Sequence, residues 1–269
     1  MVKAETAVSI EAAIESFKNG RMLIVVDDED RENEGDFIIA AEKANPEDIN
    51  FMMKEGRGLI CMAIPSEYSQ RLKLSPMVSE NTAIHQTNFT VSVDAKINIS
   101  TGISAYDRWK TVQVILNENS RPDDLARPGH MFPLTAKDGG FLQRAGHTEA
   151  AVDLANIAGM KPASLLVEII DEDGSMARMP KLRNMAKKHE LPLITIADLI
   201  EYRRKHDKLV EELSNIRAKF IAECDWDSLQ NAKDSFRKRD IVFHNCHKSD
   251  EVFLWNSVEL FDQLHLLQC

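Results

Sequence analysis

Short apolar runs alternate with amphipathic segments along most of the chain. Aliphatic and β-branched runs bounded by turn or charged residues predict buried strands at 22–26, 37–41, 58–64, 164–170 and 193–196. Residues 90–94 alternate as a half-exposed strand does. Apolar residues at helical spacing predict helices at 9–18, 104–116, 151–158 and 180–189, and further helices begin at 45 and 197. This alternation of strands and helices predicts a layered α/β domain that ends near residue 205.

Two stretches lack this periodicity. Residues 73–88 predict an irregular, mobile loop. A second loop, which leads to His130, is predicted from the turn residues in Arg121-Pro122 and Arg127-Pro128-Gly129. Taken alone, His130 is a weak candidate for chemistry.

The segment 27–36 lies between the first two predicted strands and is crowded with acidic residues. Seven of its ten residues are carboxylates, and Arg31 is its only cation. Two like charges ~4 Å apart repel by ~1 kcal/mol in water and ~4 kcal/mol near a partly desolvated surface, so solvent, Arg31, a raised pKa or a bound cation must offset the repulsion. The segment can be a solvated acidic turn. Gly35, Arg31 and the flanking strands favour instead a site for a hard divalent metal.

A second candidate site is the segment 144–149, in which a glycine precedes a predicted helix. The backbone N–H groups of a helix start, the helix dipole, Arg144 and the Thr148 hydroxyl together form an anion site suited to a phosphate. The alternative is an ordinary capped helix with a surface arginine. His147 in isolation is more often a structural histidine than a ligand, but the acidic segment offers it a co-ligand.

Two residues inside predicted strands also stand out. Glu168 is a carboxylate in an otherwise apolar run, so it either faces solvent on the polar side of its strand or is a buried, paired group. Cys61 is an unpaired cysteine, which usually behaves as a small apolar side chain of the core. With the two candidate segments, these residues suggest a phosphorylated substrate beside a divalent metal, with imidazole and carboxylates available for proton transfer. Residue chemistry alone leaves the reaction open.

Composition and charge narrow the class of protein. The chain has 269 residues, of which 43% are hydrophobic and 28% charged, as is typical of a soluble globular protein with a sizeable core. Its net charge of −10 argues against nonspecific nucleic-acid binding. No apolar run approaches membrane-spanning length, the first residues show no signal pattern, and the four cysteines are scattered. We therefore expect a cytoplasmic protein without a nucleic-acid or membrane partner.

Five motifs, in the same order, closely resemble the 3,4-dihydroxy-2-butanone 4-phosphate synthase family. They lie at 27–36, 85–94, 101–108, 127–130 and 144–149, and the resemblance spans about residues 7–204. It implies conversion of D-ribulose 5-phosphate to 3,4-dihydroxy-2-butanone 4-phosphate and formate in riboflavin biosynthesis. The implied route is metal-assisted enolisation, loss of water, a 1,2 carbon shift and release of formate. The resemblance also implies a three-layer α-β-α sandwich with a mixed sheet, Mg²⁺ or Mn²⁺ as cofactor, and a homodimer with active sites at the subunit interface.

The resemblance assigns roles to individual residues of this chain. It implies that Glu32 and His147 bind the metal. The positions that it implies as catalytic or as part of the active site are His130, Glu168, Asp27, Cys61 and Glu34. The implied substrate contacts are Arg31, Glu32, Asp36, Arg144, Ala145, Gly146, His147, Thr148 and Glu168, with Arg144 and Thr148 on the phosphate.

By this resemblance, residues 1–204 form the synthase domain and residues 205–269 an extension of unknown function. Many relatives continue into a GTP cyclohydrolase II domain, which needs a zinc site of closely spaced cysteines and a further ~150 residues. Only 65 residues follow position 204 and their cysteines lie far apart, so we expect no complete domain of that kind. Within the extension, the pattern predicts an amphipathic helix at 205–223, apolar segments at 252–255 and 260–261, and a weak metal-binding candidate at 244–247.

Two other functions share much of this pattern. One is another metal-dependent lyase or isomerase of sugar phosphates, which formate release would distinguish. The other is an inactive relative that acts as a binding protein. Every expected catalytic position is filled in this chain, which argues against the inactive relative.

Overall fold

Seven strands build one mixed sheet in the computed structural model, which describes residues 8–28, 31–206, 230, 231 and 234. In chain order the strands are β1 (Leu23–Val26), β2 (Gly35–Ala40), β3 (Cys61–Ile64), β4 (Val93–Ala95), β5 (Leu125–Thr135), β6 (Ser164–Glu168) and β7 (Leu193–Thr195). Their spatial order is β4-β5-β3-β6-β2-β1-β7. β1 pairs antiparallel with β2 and parallel with β7, and β6 pairs antiparallel with β2 and β3. β5 pairs parallel with β3 and antiparallel with β4.

Helices cover both faces of this sheet. Within the described residues they are α1 (Ile10–Lys18), α2 (Pro46–Phe51), α3 (Ser66–Arg71), α4 (Ala105–Leu116), α5 (His147–Ile157), α6 (Met179–His189) and α7 (Ile196–His206). Because strand side chains alternate, Ile24 and Phe37 pack in one cluster with α2, α4 and α6, whereas Leu23 and Ile38 pack in another with α1, α5 and α7. The expected three-layer α-β-α sandwich with a mixed sheet is therefore confirmed.

Local sequence determines where several helices begin. The side chain of Ser9 accepts the N–H of Ala12 at 3.3 Å and caps α1. Asn45 and Asp48 form a reciprocal capping box at the start of α2. Ser104 caps α4 in the same way as Ser9 caps α1. These helix starts agree with the sequence pattern.

The predicted loop before His130 is wrong, because Leu125–Thr135 form the strand β5. Pro128 and Gly129 are tolerated in this strand because the β4–β5 register shifts between Val93 and Asp94. Gly129 is needed at this point, because a Cβ there would lie 2.0 Å from the backbone carbonyl carbon of Val93. Close approach of two backbones, and not a turn, explains this glycine.

Other elements differ from the prediction in extent. The strand predicted at 90–94 is shorter, Val93–Ala95, and all three of its residues are buried instead of half-exposed. The strand predicted at 58–64 begins at Cys61. Residues 73–88 form no helix or strand beyond an isolated bridge at Pro76, as expected. The mobility of this loop stays a prediction.

The chain divides into two units, Met1–Tyr202 and Arg203–Cys269. The sheet belongs to the first unit. The features predicted at 205–223, 244–247, 252–255 and 260–261 fall almost entirely outside the described residues, so the separate extension stays a prediction. Among the helices of the described ranges, none is long and apolar enough to cross a membrane.

Candidate active site

Three neighbouring strands, β6, β2 and β1, bring polar side chains together at one of their ends. β1 leads into Asp27, β2 begins with Gly35 and Asp36, and β6 ends at Glu168. Since β2 is antiparallel to both of its neighbours, Asp36 lies opposite Val25 on one side and opposite Glu168 on the other. These strand ends border a cavity of ≈ 330 Å³.

The cavity gathers most of the residues that the sequence singled out. The predicted residues that line it are Arg31, Glu32, Glu34, Asp36, Cys61, Arg144, His147, Thr148 and Glu168. Asp27 and Gly146 are buried and adjoin lining residues without lining the cavity themselves. Ala145 is exposed, and neither Ala145 nor His130 lines the cavity. The structure thus unites both candidate segments, and the individual roles stay predictions.

Asp27, Glu32 and His147 form a cluster that suits a divalent metal. One possible ligand atom from each residue lies within 4.8 Å of the other two. His147 is buried at the start of α5, and its Nε2 lies 3.1 Å from the carbonyl oxygen of Val25. Because a carbonyl only accepts, Nε2 carries the proton and Nδ1 keeps its lone pair for a ligand. Burial lowers the pKa of His147, which favours the neutral imidazole that binds metals.

The described part of the acidic loop folds around Asp27. Its carboxylate accepts the N–H of Glu34 at 2.8 Å and that of Glu32 at 3.3 Å. The guanidinium of Arg31 lies 2.7 Å from Asp27 and 2.9 Å from Glu32. From the start of α6, Arg178 donates to the backbone carbonyl of Glu32 at 2.7 Å. Two cations therefore brace this loop, which differs from a merely solvated acidic turn.

Asp36 is a buried carboxyl among other carboxylates. It is 3% exposed, and its Oδ1 has no hydrogen-bond partner among the described residues. Burial raises the pKa of Asp36 well above its ordinary value. Neighbouring negative charges raise this pKa further, in decreasing order those of Glu168, Glu32, Glu34 and Asp27. A cation in the cavity would relieve this repulsion, and carboxylate oxygens with one imidazole fit the Mg²⁺ or Mn²⁺ that the resemblance implied.

Glu168 and Cys61 lie on adjacent strands in the wall of the cavity. Glu168 is partly buried, and its carboxylate accepts the backbone N–H of Leu59 at 3.2 Å. It is therefore neither a solvent-facing group nor a fully buried ion pair, the two alternatives that the sequence left open. Burial, followed by the charges of Glu168 and Asp36, raises the pKa of the Cys61 thiol well above its ordinary value. Cys61 therefore lines the cavity as a neutral thiol.

At the start of α5, Arg144 lies against the cavity in a network of hydrogen bonds. It donates to the carboxylate of Glu149 at 2.5 Å, to the hydroxyl of Thr87 at 3.1 Å and to the backbone carbonyl of His85 at 3.0 Å. The Arg144 side chain is only 13% exposed. The N-cap of α5 is Gly146, and no side chain caps this helix. The interpretation as an ordinary capped helix with a surface arginine is therefore wrong.

His130 belongs to a second polar group, apart from the cavity. Its Nδ1 lies 2.7 Å from the carboxylate of Asp94, which also accepts the His130 backbone N–H at 2.9 Å. Gly102, with φ +94°, packs so closely that a Cβ would lie 2.1 Å from Asp94 and 2.6 Å from the His130 ring. Asp107 holds the adjacent turn, and a hydrogen bond from the Ser100 hydroxyl is the main cause that lowers the pKa of Asp107 to about 2. Within a single chain, His130 therefore does not line the cavity.

Several residues of both groups escaped the sequence analysis. Leu59, His85, Thr87 and Phe89 line the cavity, and Asp94 pairs with His130. The ring of His85 lies 3.7 Å from the Glu32 carboxylate. Most of these residues lie within a matched motif, 85–94. His85 and Thr87 stand in the predicted irregular loop 73–88, and Leu59 and Asp94 stand in predicted strands, so the local pattern contained no signal for their chemistry.

Curated proteins with related sequences belong to riboflavin biosynthesis. The family model for 3,4-dihydroxy-2-butanone 4-phosphate synthase matches residues 11–202. The chain is 60% identical over 204 residues to the riboflavin biosynthesis protein RibBA of Cytophaga hutchinsonii, and 57% identical over 201 residues to RibBA of Bacillus mycoides. These matches cover 76% and 75% of this chain but 50% of each relative, so the chain spans about half the length of the curated relatives it matches.

Solved structures share the fold of the first unit. RibBX of A. baumannii, a two-domain 3,4-dihydroxy-2-butanone 4-phosphate synthase, has a TM-score of 0.72 at 47% identity, covering 75% of this chain and 59% of that one. A 3,4-dihydroxy-2-butanone 4-phosphate synthase in complex with two magnesium ions has a TM-score of 0.72 at 38% identity, covering 74% of this chain and 98% of that one. This chain belongs to the 3,4-dihydroxy-2-butanone 4-phosphate synthase family.

Proposed function

We propose that this chain converts D-ribulose 5-phosphate to 3,4-dihydroxy-2-butanone 4-phosphate and formate, a step of riboflavin biosynthesis. The observation that carries the proposal is that Glu32, His147 and Arg144 line one cavity. The chain that holds this cavity belongs to the synthase family. A sugar phosphate has an anionic end and a set of neighbouring oxygens. The guanidinium of Arg144 suits the anionic end, and a metal cluster suits the neighbouring oxygens.

The metal in this proposal is Mg²⁺ or Mn²⁺. Glu32 and His147 would hold it, with Asp27 beside them. The proposal is supported by the cluster of ligand atoms and by the two magnesium ions of the solved relative. When bound, the ion supplies Lewis-acid polarisation of the sugar's carbonyl oxygen.

The residues of the chain supply the other parts of the reaction. Arg144 and Thr148 would bind the phosphate and orient the sugar, while Arg31 would contact its oxygens. Asp36, whose pKa is raised by burial and by neighbouring negative charges, would suit proton donation. Glu168, hydrogen-bonded by a single backbone N–H in the described structure, suits proton acceptance.

The proposed assembly is a cytoplasmic homodimer with active sites at the subunit interface. The pair His130–Asp94 lies outside the cavity, although the family resemblance includes the motif of His130. Apolar side chains are exposed in the neighbouring segment, with Ile97 at 71%, Tyr106 at 49% and Ile103 at 45%. Exposed apolar groups of this kind are typical of subunit contacts. In the proposed dimer, a second copy of the chain packs on this surface, and the His130 of each subunit completes the cavity of the other.

Formate production tests the proposed activity. EDTA-treated protein with ribulose 5-phosphate should release formate, measured with a coupled formate dehydrogenase, only after Mg²⁺ or Mn²⁺ is restored. Glu32→Gln should raise the metal concentration for half-maximal activity by about tenfold or more, because a charged ligand is lost. Glu47→Gln, which removes an exposed carboxylate of α2 away from the cavity, is the matched control. An isomerised pentose phosphate without formate would contradict the proposal.

A further inference from the structure

Glu149 is a buried carboxylate with a partner on each oxygen. It lies in the first turn of α5 and is 1% exposed. Oε1 accepts the backbone N–H of Lys137 at 3.1 Å, and Oε2 accepts Nη1 of Arg144 at 2.5 Å. Glu149 does not line the cavity, whereas Arg144 does. An effect of Glu149 on a bound ligand is therefore indirect, and Arg144 is the partner of Glu149 that lines the cavity.

The backbone between these two residues is shaped around their contact. A Cβ at Gly146 would lie 2.2 Å from Nη1 of Arg144 and 2.9 Å from Oε2 of Glu149. A side chain at this position would displace the guanidinium, so glycine permits the ion pair in this geometry. The pair is also costly to bury, and removal of one partner would leave an uncompensated charge. This combination indicates a specific orientation of the guanidinium rather than general packing.

The geometry of Arg144 shows what this orientation achieves. A guanidinium has five N–H donors in a planar fork. Four contacts are made within the described structure: one to Glu149, one to Thr87 and two to the backbone carbonyl of His85. The remaining N–H is on Nη1, the same nitrogen that Glu149 holds. Glu149 therefore holds the nitrogen whose second N–H is left for a ligand in the cavity, while Thr87 and His85 hold the rest of the guanidinium.

We propose that Glu149 is a positioning residue for phosphate binding: it holds the guanidinium of Arg144 so that a free N–H faces the phosphate group of the substrate. This inference rests on the proposed function, since it assigns the phosphate to Arg144. An arginine that is ordered before the ligand arrives loses less side-chain freedom on binding. The gain appears as tighter binding of substrate and of phosphate, with a smaller effect on the chemical step.

The test compares Glu149→Gln with the wild type. Calorimetry gives the dissociation constant of inorganic phosphate, and the formate assay gives KM and kcat for ribulose 5-phosphate. Both the dissociation constant and KM should rise about tenfold, as expected for loss of a hydrogen bond to a charged group, while kcat changes much less. The affinity for Mg²⁺ should be unchanged. Asp153→Asn is the matched control, because Asp153 is a buried carboxylate one turn further along α5 that accepts the N–H of Phe141 at 2.8 Å.

A double-mutant cycle separates positioning from a general structural role. In an Arg144→Lys background, which keeps a cation for Glu149 but loses the planar fork, Glu149→Gln should cause little further loss of phosphate affinity. Wild-type phosphate affinity in Glu149→Gln, or an equal loss in both backgrounds, would overturn the inference. So would an equal loss in Asp153→Asn. Failure of the wild type to form formate would instead overturn the proposed function, and the phosphate-binding cycle would still report on Glu149.

Discussion

At Asp36, burial and neighbouring carboxylates act in the same direction. The pKa of this group lies well above its ordinary value in the folded protein. Between the unfolded and folded pKa values, the folded protein binds more protons than the unfolded chain does. The stability of the metal-free protein should therefore fall as pH rises through this window.

Asp36→Asn should remove this pH dependence. In EDTA, we expect the variant to be more stable than the wild type at about pH 8 and the difference to shrink towards about pH 4. The gain at the higher pH should be on the order of 1–4 kcal/mol, because a poorly compensated buried charge is replaced by a neutral group. Urea unfolding followed by circular dichroism measures it, with Asp123→Asn as an exposed control. A variant that is less stable than the wild type at the higher pH would contradict this prediction.

Residues of the candidate site differ in how far the sequence could indicate them. Glu32 and His147 stand in dense, unusual motifs, so their chemistry is visible locally. Glu149 also stands in such a motif, but its role depends on a contact with Arg144 across a glycine. Asp94 shows chemistry only through its pairing with His130, which is 36 residues away along the chain. Local pattern carries no information about contacts of this kind.

Among the elements, α4 shows a helix end that is held from outside the helix. Arg71, from the end of α3, donates to the backbone carbonyls of Ile115 and Asn117 at 2.8 Å each. Lys161 donates to the carbonyl of Leu116 at 3.0 Å. The last carbonyls of a helix have no partner within it, and cations near them also interact favourably with the helix dipole.

Arg71→Met should destabilise the protein by about 1–3 kcal/mol, because the hydrogen bonds to a charged donor are lost. Urea unfolding measures the loss, and faster amide exchange in the last turn of α4 should accompany it. Lys110→Met is the comparison, because it removes another cation, one that belongs to α4 and lies over the rings of Tyr106 and Trp109. It should lower the free energy of unfolding by less than Arg71→Met does. Equal stabilities of Arg71→Met and the wild type would show that water satisfies these carbonyls.

The elements that the sequence predicted well are those with local causes. The core strands β1 and β2 follow from aliphatic runs, and α2 follows from its capping box. The strand β5 was missed because Pro128 and Gly129 normally indicate a turn. They are accommodated only through the register shift against β4, which depends on a distant segment.

In the whole molecule, the cavity residues and the His130–Asp94 pair lie on one sheet, but the pair does not line the cavity. Phe132 of β5 pairs with Cys61 of the cavity wall, while His130, two residues earlier, is bound to Asp94. The sequence could not show this difference, since the motifs of both groups fall within one family match over residues 11–202. The proposed homodimer would resolve it if the cavity of one subunit faced His130 of the partner subunit.

Mixing two inactive variants tests this arrangement. His130→Ala should abolish turnover with little loss of substrate binding, and Glu32→Ala should abolish it through the metal. If a site needs Glu32 from one subunit and His130 from the other, a hybrid dimer holds one intact site. Random association of the co-expressed variants should then restore about a quarter of the wild-type formate production. If both residues act within one subunit, no intact site forms, so a mixture that light scattering shows to be dimeric yet inactive would exclude interface sites.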